Sequence, residues 1–180
     1  DAAQFGAAFT RGLRAGGVAA TAKHFPGFGA APANTDLGAV RIAVGLRELR
    51  AVDRLPFKTA VRAGAGLVML SSAIYPALSK APAVLSPRVV QRELRDGVGF
   101  GGVTISDDLE APAFASRGGA PGAALAATRA GVDLLLFARS YRGADRAARA
   151  LAAAVRAGQV DRGALEQSLA LYERGVQLSR

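Results

Sequence analysis

Cysteine is missing from the 180-residue chain, and histidine occurs once, as His24. The first absence excludes disulfides, thiolate metal sites and a cysteine nucleophile. The second leaves no other imidazole within the chain for acid–base work. Apolar runs of roughly 18 or more residues are also lacking, so no segment reads as a membrane span, and nothing after Asp1 reads as a charged-then-apolar leader. No membrane partner is expected. Dense basic runs are missing too. The formal charge of +9 is carried by residues that recur singly, such as Arg11, Arg47, Arg62, Arg95, Arg129 and Arg156. None of them form a Lys/Arg cluster interleaved with aromatics, so no nucleic-acid partner is expected. Lysine occurs only as Lys23, Lys58 and Lys80, which together with the abundance of alanine suggests coding bias more than a phosphate-tracking groove. No glycine-rich phosphate loop follows a strand, and no His/Asp/Glu group has metal spacing, so neither a metal nor an organic cofactor is expected.

What is present suits a globular α/β domain. The composition is 51% apolar, enough to bury a core in one domain. The chain opens within an amphipathic helical pattern through Phe5, Phe9 and Leu13. Four short apolar, β-branched stretches, residues 18–24, 67–72, 103–106 and 132–137, read as buried parallel strands. Between them lie helical patterns. Residues 46–63 carry an apolar face despite Pro56, and residues 86–96 open on a serine cap with Pro87 in the first turn and close on Gly97. An Ala-rich helix is expected over 121–130, ended by Gly131, and another over 144–157, ended by Gly158. A last helix from Gly163 onward bears a Leu165, Leu169, Tyr172, Val176 stripe. Alternating strands and helices predict a parallel sheet with helices packed on it. Periodicity leaves open whether this is a small doubly wound sheet or half of a barrel.

In parallel α/β proteins functional groups gather at the carboxyl ends of strands, where loops converge. The first predicted strand ends in Lys23 and His24, and the third runs into Asp107 and Asp108. Neighbouring carboxylates repel unless cations or hydrogen-bond donors compensate, and Lys23 and His24 could supply that compensation. A turn or helix cap is the alternative explanation of an Asp-Asp pair.

The segment Lys23-His24-Phe25-Pro26-Gly27-Phe28-Gly29 resembles the Lys-His-Phe-Pro-Gly-His-Gly motif of glycoside hydrolase family 3, β-N-acetylhexosaminidase-like members in particular. Further similarities follow in the family's order: Leu55-Pro56-Phe57, Val68-Met69 with Tyr75-Pro76, residues 82–86, Leu94-Arg95, Gly99-Phe100, Gly102-Val103, residues 105–109 and residues 130–133. The resemblance implies a partial (β/α)8 TIM barrel, strands five to eight with their helices, as a single domain over residues 1–180 that lacks the first half of the barrel. It implies a glycosidase cleaving β-linked N-acetylhexosamine or a related sugar, with cell-wall material as one candidate source. In the retaining mechanism so implied, Asp107 attacks the anomeric carbon while Lys23 and His24 bind sugar hydroxyls. The alternative is a non-catalytic or attenuated carbohydrate-binding descendant.

One departure matters. Where the family places an Asp-Ser-His segment with its histidine acid/base, this chain reads Asn34-Thr35-Asp36. Asp36 is the candidate replacement. An aspartate serves as an acid only if loop closure takes it out of water, since an exposed carboxylate is ionised at neutral pH; otherwise Asp36 shapes a turn or caps the next segment. Phe28 and Ser72 also stand where the family commonly has histidines. Open barrel edges would favour self-association of the chain.

Overall fold

The computed structural model describes residues 1–177, and the side chains of residues 1–175. Helix α1 (Ala2–Ala15) leads into strand β1 (Thr21–Phe25). A helical stretch follows, made of α2 (Leu46–Glu48), a π-helical turn (Leu49–Asp53) and α3 (Leu55–Arg62). Next come β2 (Leu67–Leu70), a 3-10 turn (Ala83–Leu85), a π-helix (Arg88–Asp96) and β3 (Val103–Ser106). A second 3-10 turn (Pro112–Arg117) precedes α4 (Gly119–Ala130), α5 (Tyr141–Arg156) and α6 (Arg162–Gln177). The strands form one parallel sheet in the order β1-β2-β3. Among the described residues no helix is long and apolar enough to cross a membrane.

The expected fourth strand is reduced to a single bridge, Ile105 to Leu134, parallel to β3. Side chains end its ladder at both sides. The Thr104 amide bonds the Asp133 carboxylate at 2.8 Å, and the Leu136 amide bonds the Ser106 hydroxyl at 2.8 Å. Between them the backbone rungs Leu134 N–H to Thr104 O and Ser106 N–H to Leu134 O, both 2.9 Å, remain. Polar side chains thus take the donors that a regular strand would give to carbonyls. The first strand starts three residues later than expected, because the Val18 amide closes α1 by bonding Leu13 O at 2.9 Å. The second ends at Leu70, and the third matches its expected bounds.

The helix expected over 46–63 is interrupted where Pro56 requires it. A proline inside a helix removes a donor and clashes with the preceding turn. Here the π-helical turn ends at Asp53 and α3 begins at Leu55, so Pro56 lies in a first turn, where its missing N–H matters least. Gly131, at φ 91°, closes α4 in the left-handed region as expected. The buried alanines of α4, Ala120, Ala123, Ala124, Ala127 and Ala130, let α5 approach through Ala147.

One face of the sheet and its helices enclose the core. Val68 and Leu70 are fully buried, as are Phe25, Leu49, Tyr75, Val84, Val89, Val90, Leu94, Leu109 and Phe114. Phe25 meets Phe57 edge-on at 5.2 Å. Each fully buried side chain of this kind contributes about 1.5–3 kcal/mol relative to exposure. Alternation puts Leu67, Met69 and Ile105 on the other face, and they are only half-buried. Two helical faces also point away from the core. Phe5 and Phe9 are exposed, because α1 packs on α3 through Ala7 and Thr10. On α6 the inward side is not the expected stripe: Leu169 and Tyr172 are exposed, whereas Ser168 donates to Asp133 at 2.7 Å. The side chain of Val176 lies outside the described residues.

Candidate active site

Parallel strands bring their carboxyl ends to one side: Lys23 and His24 lie in the last half of β1, and Asp107 and Asp108 follow directly on β3. The register between β1 and β2 slips between Ala22 and Phe25, which spans Lys23 and His24. The Lys23–His24 and Phe25–Pro26 peptide bonds are both cis. The loop beyond them is held from behind. The Tyr75 hydroxyl donates to Gly27 O at 2.7 Å, and the Ser71 amide to Phe25 O at 2.8 Å. Burial pushes the Tyr75 phenol above its ordinary value, so it stays protonated and remains a donor. Gly27, at φ 142°, is required on two counts: its backbone lies in glycine's region, and an added Cβ would sit 2.5 Å from the Asp53 Cβ.

His24 is half-buried, with its ring 5.7 Å from that of Phe28. Burial lowers its pKa below 6.5, and Lys23 lowers it further, whereas Asp107 and then Asp36 pull it upward. Lys23, Asp36 and Asp107 thus all act electrostatically on one imidazole, which is neutral above its lowered pKa. It can then donate from one nitrogen and accept at the other. Lys23 itself is exposed.

The two adjacent carboxylates have different surroundings. Asp108 is buried, and its oxygens accept from the Glu110 amide at 3.0 Å, the Ala138 amide at 3.1 Å and Arg139 Nε at 3.2 Å. It ties the end of β3 to the loop beyond residue 137. Asp107 is half-buried and accepts the Asp108 amide at 2.9 Å, with the Ser72 hydroxyl 3.4 Å from its other oxygen. The geometry therefore separates a structural carboxylate from an available one.

Asp36 sits on an exposed turn. Its amide donates to Asn34 Oδ1 at 2.9 Å, its carboxylate accepts from Asn34 Nδ2 at 3.3 Å, and the Leu37 amide bonds Asn34 O at 3.2 Å. Its backbone carbonyl accepts Arg139 Nη2 at 3.2 Å. Nearby, Glu110 accepts from the Ser140 hydroxyl at 2.6 Å and from the Ser140 and Arg139 amides at 2.8 Å. The Ser140 hydroxyl bond, followed by those amides and the Arg139 charge, holds Glu110 below the usual carboxylate range. A cleft of about 470 Å³ opens elsewhere, between the Arg88–Asp96 helix, α4 and α6. In its wall Arg95 and Asp133 bond each other at 2.7 Å, and none of the residues singled out in the sequence as candidate site residues lines it.

A family description, Glycosyl hydrolase family 3 N terminal domain, matches residues 1–171. The chain belongs to glycosyl hydrolase family 3. A β-hexosaminidase of Stenotrophomonas maltophilia (strain R551-3) is 43% identical over 134 residues, covering 74% of this chain and 40% of its own length. A β-hexosaminidase of Xanthomonas axonopodis pv. citri is 36% identical over 167 residues, covering 91% and 50%. The solved family 3 β-N-acetylglucosaminidase from Paenibacillus sp. str. FPU-7 superposes with a TM-score of 0.95 at 32% identity, over 98% of this chain and 34% of that one. The chain thus spans half or less of each of these relatives. Within the family 3 frame, sequence reasoning passed over Arg139 and Glu110. The strand-end rule that selected Asp107 applies to Arg139 as well, which comes two residues after residues 132–137.

Proposed function

We propose that this chain is the part of a retaining β-N-acetylhexosaminidase-like glycosidase that carries the nucleophile, Asp107. The observation that carries the reading is the contrast at the end of β3, where buried Asp108 is engaged by three donors, one of them charged, while half-buried Asp107 has one close amide and a long Ser72 contact and acts electrostatically on His24. In this reading residues 21–25, 67–70, 103–106 and 132–137 are strands five to eight of a (β/α)8 barrel, in keeping with the parallel order and the family 3 relatives. Residues of the first four strands would complete the sugar site. Asp107 attacks the anomeric carbon, the bond to the leaving oxygen breaks, and water later releases the glycosyl group from the carboxylate. Neutral His24 and the Lys23 ammonium bind sugar hydroxyls. Once closure of its loop over bound sugar takes Asp36 out of water, its carboxyl protonates the leaving oxygen in the first step and takes the proton of water in the second. The half-buried face with Leu67, Met69 and Ile105, together with Phe5 and Phe9, would drive self-association of the chain alone.

A second reading, an attenuated or carbohydrate-binding descendant, is favoured by one observation: the Asp36 side chain is exposed and occupied by Asn34. An aryl β-N-acetylglucosaminide with a good leaving group separates the two, because it needs little protonation. Placed within a complete barrel, the chain should hydrolyse it. Asp107→Asn should abolish that turnover, whereas Asp108→Asn should retain measurable chemistry. No hydrolysis by the unaltered chain would favour the binding descendant, and equal loss in both variants with folding intact would end the separation of the two aspartates.

A further inference from the structure

We propose that Arg139 is a positioning residue that holds the turn of residues 34–37 against the end of β3 and so sets Asp36 beside Asp107. For its catalytic consequence this rests on the reading of Asp36 as acid/base. Residues 138–140 are fixed to the sheet: the Ala138 amide bonds Asp108, and the Arg139 and Ser140 amides bond Glu110. From that base the Arg139 side chain reaches two acceptors, Asp108 Oδ2 through Nε and Asp36 O through Nη2, both at 3.2 Å. Among the described residues, this is the one hydrogen bond joining residues 32–39 to a distant part of the chain. The remaining bonds of the turn run within it, and Thr35 adds packing by being buried. A planar guanidinium can serve two separate acceptors at fixed angles, which a lysine ammonium on a flexible stem cannot reproduce. One side chain therefore couples the position of the candidate acid to the carboxylate next to the candidate nucleophile.

The test combines hydrogen–deuterium exchange with leaving-group dependence in Arg139→Ala and the milder Arg139→Lys. Exchange at the amides of Asp36 and Leu37 should rise roughly tenfold, the effect of losing one charge-assisted hydrogen bond, while the amides of β2 stay protected. Unchanged exchange in the turn, or an equal rise in turn and β2, would overturn the proposal. Within a complete barrel, Arg139→Lys should slow sugar-linked substrates more than activated aryl glycosides, moving the ratio in the direction given by Asp36→Ala. If Asp36→Ala separates the two substrates and Arg139→Lys slows both equally, Arg139 does not position the acid. If Asp36→Ala fails to separate them, the acid/base reading falls, and exchange in the turn alone decides whether Arg139 holds it.

Discussion

Replacing Asp108 by alanine should destabilise the chain far more than replacing Asp107, although the two are neighbours of identical chemistry. The Asp108 carboxylate accepts two backbone amides and the Arg139 guanidinium in a buried setting. With each hydrogen bond contributing about 1 kcal/mol and the charged one somewhat more, the loss is about 3 kcal/mol. For a chain of this size that corresponds to a fall in Tm of roughly 6–12 °C. Asp107 accepts the adjacent amide at 2.9 Å and, at a weak 3.4 Å, the Ser72 hydroxyl, so Asp107→Ala should cost about 1 kcal/mol. Urea titration and thermal unfolding of both variants under one buffer would measure the difference. Equal destabilisation, or a larger effect at Asp107, would refute the assignment of Asp108 as the structural member.

Three more outcomes are expected. Asp36→Ala should slow hydrolysis of sugar-linked substrates much more than of activated aryl glycosides, with azide restoring part of the second step; uniform slowing would remove Asp36 as the acid. His24 has a folded pKa below 6.5 because of burial, so the unfolded chain takes up the proton first and stability should decline as pH falls below 6.5. Urea midpoints at pH 7.5 and 5.5 should therefore converge in His24→Gln, and an unchanged pH dependence in that variant would contradict the burial argument. The 180-residue chain alone should self-associate or bind a dye for exposed apolar surface, through the sheet face of Leu67, Met69 and Ile105 and through Phe5 and Phe9; a sharp monomer boundary in sedimentation with no dye binding would refute this.

The elements that sequence reasoning located well are those set by local rules. Residues 103–106 form β3 as expected because an apolar, β-branched run between Gly102 and two aspartates leaves little choice. Gly131 ends α4 because only glycine adopts φ 91° without strain. Failures occur where a distant partner decides. Nothing local to residues 132–137 reveals that Asp133 and Ser106 side chains will take the ladder's donors. Leu169 and Tyr172 have helical spacing, but the orientation of α6 follows the Ser168–Asp133 bond. Lys23, His24 and Asp107 were selected from strand ends and the family resemblance and Asp36 from the resemblance alone, and the other three all act electrostatically on His24. The unequal engagement of Asp107 and Asp108 was not, because its donors come from residues 110, 138 and 139.

Trapping a covalent bond between Asp107 and sugar is the most direct test of the proposed nucleophile. A 5-fluoro-N-acetylglucosaminyl fluoride should form the glycosyl-enzyme and leave it slow to hydrolyse when the chain is part of a complete barrel. Peptide mass spectrometry should then find one added glycosyl group on Asp107 and none on Asp107→Asn. A label on Asp108 or Asp36, or a label that persists in Asp107→Asn, would contradict the account.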